Sequence, residues 1–122
     1  MSFTCINENK FSKSSISKDI ESMVKEYKNK YSTIKEPFFL QTEQVFLKAI
    51  LYYLVEYAEN KDISELEKED NKSLDKFFNT LNKESNAFKY YKEFKAINNE
   101  EIEKMAQLSI FKYIKTQIEK SN

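Results

Sequence analysis

The chain of 122 residues contains no glycine. It therefore lacks the one residue that takes a positive φ at no steric cost. Two-residue hairpin turns and the phosphate-cradling loops of nucleotide-binding folds depend on such positions. Proline occurs once, and Lys, Glu and Leu are abundant, so little stands in the way of helix. The expectation is an all-α fold whose helices are joined by turns rich in Asn, Ser and Asp. One domain of this length buries roughly two thirds of its unfolded surface, enough for a core without disulfide or metal. Ten Phe and eight Tyr supply much of that core.

Charge and residue types narrow the function. The chain carries 20 basic and 20 acidic residues for a formal net charge of zero, and every basic residue is Lys. Base readout and bidentate phosphate clamps lean on Arg, so an independent, tight DNA binder is not expected. There is no His and only one Cys, Cys5. That removes the commonest general base, any zinc site and an internal disulfide. Without glycine there is no Walker A or dinucleotide loop. Neither enzymatic activity nor a cofactor is expected of this chain. The longest apolar stretch, Val45 to Ala58, contains Lys48 and Glu56. It falls short of the ~20 residues that span a bilayer, so membrane contact is not expected and a cytoplasmic location is.

Residues 1 to about 14 read as an irregular lead-in with isolated Phe3 and Phe11. A first helix is expected from about Lys18 to Tyr31, capped by Ser17, with Ile16, Ile20, Met23, Val24, Tyr27 and Tyr31 on one face. Pro37 stands near the start of a second helix, about Phe38 to Glu59, some ~30 Å long. Gln41, Gln44, Lys48, Tyr52, Glu56 and Glu59 form a narrow polar stripe on it, and most of the remaining surface is apolar. A helix apolar over so much of its girth is a central one, wrapped by others. After a turn at residues 60–62 comes a short acidic helix from Ile63 to about Glu69. Ser73 is expected to cap a helix bearing Leu74, Phe77, Phe78 and Leu81, and Asn86 one bearing Phe88, Tyr91, Phe94 and Ile97. Asn98 with Glu101 resembles a capping box before a last helix, about Asn99 to Glu119, with Ile102, Met105, Ala106, Ser109, Ile110, Tyr113 and Ile114 inward. The sum is a compact bundle of about five to seven helices in a single domain. Its core is expected to include Phe38, Phe39, Phe46, Leu47, Ile50, Leu54, Phe77, Tyr91 and Phe94.

Four sets of residues are candidates for contact with a partner, each beside a plainer reading. Glu43 lies on the apolar side of the second helix. A first-turn carboxylate reaching solvent or a backbone N–H is the plainer reading, a partner contact or inter-helix polar lock the other. Glu65, Glu67, Glu69 and Asp70 form an acidic run, interrupted by lysines, that suits a basic partner or simply a solvated face. Lys104, Lys112 and Lys115 share one face of the last helix, where they suit phosphate or ordinary pairing along the helix. Lys89, Tyr90, Lys92 and Lys95 interleave charge with an aromatic, as single-strand binders do. Tyr91 in the same cluster fits the core stripe.

Two blocks carry a resemblance. The first is Glu36-Pro37-Phe38-Phe39-Leu40-Gln41-Thr42-Glu43-Gln44-Val45-Phe46-Leu47-Lys48-Ala49-Ile50, and the second is Phe88-Lys89-Tyr90-Tyr91-Lys92-Glu93-Phe94-Lys95-Ala96 within residues 77–96. In content and order they resemble the all-α domain of Gram-positive type IV coupling proteins, the ATPases of conjugation and type IV secretion. Where that family commonly has a small-residue turn after the second block, this chain has Ile97-Asn98-Asn99-Glu100-Glu101. The resemblance implies a helical insertion excised from a larger RecA-like motor, whose parent sits at the inner face of the cell membrane. It implies a substrate receptor for relaxosome proteins, a relaxase or secreted proteins. Weak, direct DNA contact at the motor entrance and a free-standing helical adaptor are the competing readings. The isolated piece is expected to be monomeric, since hexamerisation would rest on the motor.

Overall fold

The computed structural model describes residues 13–57 and 63–121, with side chains for residues 18–57 and 63–120. The expected lead-in with Cys5, the side chain of Ile16, and the turn at residues 60–62 lie outside what is described. Six helices follow one another among the described residues, with no strand: α1 (Lys13–Tyr31), α2 (Pro37–Tyr57), α3 (Ile63–Glu67), α4 (Asn71–Asn79), α5 (Asn86–Lys95) and α6 (Glu100–Ser121). None of them is long and apolar enough to cross a membrane.

The centre of the bundle is α2. Its neighbours are α5 first, then α1 and α6, while α3 leans on α6 and α4 on α5. Phe46, Leu47, Ala49, Ile50, Leu51 and Tyr53 have no exposed surface. Each of these side chains except the small Ala49 contributes roughly 1.5–3 kcal/mol of burial. Rings set the packing: Phe46 lies 4.7 Å from Phe94 and 5.4 Å edge-on to Phe111, and Phe78 stacks on Tyr91 at 4.1 Å. The polar stripe of α2 is covered only in its middle, since Gln41 and Glu56 are exposed. Tyr52 is buried with its ring stacked on Tyr90 at 5.5 Å, and Lys48 lies over Tyr90 while reaching Glu21 of α1 at 3.4 Å.

Several local expectations are corrected. The helix α1 begins at Lys13, so Ser17 stands inside it, and Asp19 and Glu21 are beyond the first turn. Phe38, expected in the core, is 51% exposed, because it stands five helical turns before Glu56 and so lies on the same side of α2 as that exposed carboxylate. Phe39 and Phe77 are partly buried against the core rather than within it. Met105 is exposed, and the inward face of α6 carries Glu103, Gln107 and Phe111 instead.

The caps sit one to three residues from where the sequence suggests them. Asp70 caps α4 by accepting from the Ser73 N–H at 2.7 Å, and that bond holds its carboxyl below the usual carboxylate value. Ser85, not Asn86, caps α5. Its N-terminus is capped a second time from α2: the Glu56 carboxylate accepts from the backbone N–H of Asn86 at 3.2 Å and Ala87 at 2.9 Å. At the head of α6, Asn99 Oδ1 accepts from the Ile102 N–H, and Glu103 Oε2 accepts from the Asn99 N–H, both at 3.2 Å. Asn98 before it takes φ 54°, the only positive φ among the described residues. Asparagine tolerates this conformation best after glycine, which the chain lacks.

Candidate partner surface and internal polar locks

Two buried polar clusters tie helices together. In the first, Glu43 is wholly buried and its Oε2 accepts from Lys35 Nζ at 2.7 Å. Lys35, in the connection between α1 and α2, lies over Tyr31, Phe39 and Tyr27 at 5.0, 5.5 and 5.9 Å from the ring centres. Burial, and then the facing Glu43 charge, push the Tyr27 phenol well above its ordinary value. Glu43 is thus the inter-helix lock, not a solvent-reaching carboxylate. Sequence reading missed its partner Lys35, whose only signal is its place in a linker eight residues upstream.

The second cluster joins α4, α5 and α6. Lys95 Nζ reaches Asp75 at 3.3 Å and donates a short hydrogen bond to Glu103, and the Tyr91 hydroxyl donates one to Asp75. Burial works against the Lys95 charge, but Glu103 and then Asp75 outweigh it and hold Lys95 above the ordinary lysine value. Burial, the Asp75 hydrogen bond and the Asp75 charge raise Tyr91.

These contacts rearrange the candidate partner residues. Of the α5 cluster, Lys95 is consumed internally and the Tyr90 ring is stacked on Tyr52. Only Lys89 and Lys92 are exposed, and Lys92 lies 5.5 Å over the Phe88 ring. The three α6 lysines do not act together: Lys104 pairs with Glu100 at 3.4 Å and Lys115 with Glu67 of α3 at 2.9 Å. Glu65 is exposed, while Glu67 and Glu69 are half-buried.

Two surface features remain. Between α3, the start of α4 and α6 lies a mostly apolar cleft of about 210 Å³ with Phe111 beneath it and Leu108, 69% exposed, at its rim. Gln107 Nε2 and both amide atoms of Asn71 are buried along it without a hydrogen-bond partner. Between the C-terminal part of α1 and that of α6 lies a groove of about 260 Å³ lined by Lys30, Lys35, Lys112 and Lys120 with Tyr31 and Tyr113. No Asp or Glu lines it. Burial, then the Glu26 charge, raises Tyr113. Among the described residues, no group of three His, Cys, Asp or Glu side chains is placed to hold a metal ion.

Fold and surface together define an all-α bundle with internally neutralised locks and a basic groove that no Asp or Glu lines. No protein-family model matches this chain, and neither a curated protein nor a solved structure does.

Proposed function

We propose that this chain is a protein-binding module of a type IV coupling protein, acting as a receptor for a relaxase, another relaxosome protein or a secreted protein. The reading rests on the two sequence blocks and on where they lie in the fold. The first block forms the front of α2 and the second forms α5, and these two helices make the main packing pair of the bundle. Both blocks contribute to the core, with Phe46 of one on Phe94 of the other, although Phe38, Lys89 and Lys92 within them are exposed. Such a core leaves the outer faces free to differ with the partner. Direct DNA contact through α5 is the weaker reading, because Lys95 and Tyr90 are already engaged.

The test is capture of the relaxase and accessory proteins of the same genetic element by the immobilised chain. At least one is expected to be retained at roughly micromolar affinity, as transient interfaces allow. Retention of none counts against the receptor reading. A longer parent chain with Walker motifs flanking this segment would support it independently.

A further inference from the structure

We propose that the groove between α1 and α6 is the docking site for an acidic peptide segment of the partner protein; this rests on the receptor reading above. Four lysines from three places in the chain face one concavity: Lys30 from α1, Lys35 from the connection, and Lys112 and Lys120 from α6. Glu43 neutralises Lys35 from beneath. Lys30, Lys112 and Lys120 have no ion-pair partner among the described residues, although the chain as a whole is neutral. Lys48, Lys95, Lys104 and Lys115 are paired elsewhere, and other surface lysines such as Lys89 and Lys92 are not, so what distinguishes the groove is convergence on one concavity without a carboxylate. Lysines near a helix C-terminus complement its dipole, which accounts for Lys30 and Lys120 taken singly. It does not account for Lys112, in the body of α6, or for the convergence of both helices on a wall without a carboxylate.

The lining selects the kind of anion. Lysine ammonium groups are point charges that suit carboxylates and lack the fork of Arg. The Ser109 hydroxyl lies in the same wall, while the Thr116 hydroxyl already donates to the Lys112 carbonyl at 2.9 Å and can only accept. A nucleic-acid strand would need open ring faces for its bases. Here Tyr27 packs 4.7 Å from Tyr31 and 4.8 Å from Tyr113, and Lys30 and Lys35 lie over Tyr31. The rings are spent on one another, so the groove offers charge without a stacking platform.

The experiment uses the full chain and three fluorescein-labelled probes: a twelve-residue peptide of alternating Glu and Ser, the same peptide with Gln for Glu, and a twelve-nucleotide single strand. Anisotropy at low and moderate salt is expected to show salt-sensitive binding of the acidic peptide alone. The triple variant Lys30→Gln, Lys112→Gln, Lys120→Gln is expected to lose about tenfold in affinity. The double variant Lys89→Gln, Lys92→Gln is expected to bind as the parent does, and circular dichroism checks that both remain folded. Absence of peptide binding, equal binding by the triple variant, or tighter binding of the single strand each overturns the proposal. The capture experiment scores the receptor reading separately: partner retention that survives the triple variant removes this groove and leaves the module.

Discussion

Glu43 shows how one carboxylate is made tolerable at the centre of a core. A buried ion left alone is costly, and its attraction to a partner seldom exceeds the desolvation that both incur. Lys35 meets it at 2.7 Å yet keeps 22% of its side chain exposed, so only one of the two charges is fully dehydrated. The surrounding rings add cation–π attraction. Removing one member should therefore hurt more than removing both. In urea unfolding, Lys35→Met is expected to cost about 3 kcal/mol by stranding Glu43, and Lys35→Met with Glu43→Met to recover most of that. A double variant as unstable as the single one would refute the lock. The sequence marked Glu43 as unusual because it falls on the apolar side of its helix. The partner was not legible, since nothing in helical periodicity reaches back into a connecting segment. The partners of Lys95 were not legible for the same reason: Asp75 and Glu103, which neutralise it, lie on two other helices.

Single helices were more legible than their ends. Periodicity located the inward residues of α5, Tyr91 and Phe94, and the burial of Phe46, Leu47, Ile50 and Leu54 on α2, because a 3.6-residue period is imposed by geometry alone. Ends depend on which neighbouring side chain reaches an N–H first, and adjacent Ser and Asn residues compete closely for that position. The helix α5 illustrates the outcome, since its first turn is served by its own Ser85 and by Glu56 from α2. Glu56 brings a negative charge to the positive end of the helix dipole as well as two hydrogen bonds across the largest packing pair. Glu56→Ala is expected to lower stability by about 1–2 kcal/mol and Ser85→Ala by about 1 kcal/mol in thermal or urea unfolding. A loss from Ser85→Ala clearly larger than that from Glu56→Ala would reject the cross-helix cap. Phe38 has the wrong phase for the core: it stands five turns before Glu56, on the polar-stripe side of α2, and its apolar character alone does not turn it inward.

At the scale of the whole bundle, the buried hydroxyls make stability depend on alkaline pH. Tyr27, Tyr91 and Tyr113 are all held above the ordinary tyrosine value of 10.0, and Lys95 above 10.5. On opening, these groups return to their ordinary values and release protons more readily than in the folded chain. Their contribution is therefore complete below about pH 10 and is lost as pH rises further. The urea midpoint is expected to hold steady from about pH 7 to 9 and to fall beyond 10. Tyrosinate absorbance at 295 nm should then show a fraction of the rings ionising only as the fold opens. A midpoint unchanged up to about pH 11, or all the tyrosines titrating together, would contradict this.

The enclosure of α2 on three sides also governs how the molecule breathes. Its central amides, from about Phe46 to Leu54, have no nearby edge that can peel away and expose them. Deuterium can reach them only through separation of α5, α1 and α6 together, so their exchange reports the opening of the entire fold. The five-residue α3, packed chiefly on α6 and holding only Ile63 and Leu66 in the core, is expected to open ahead of that centre.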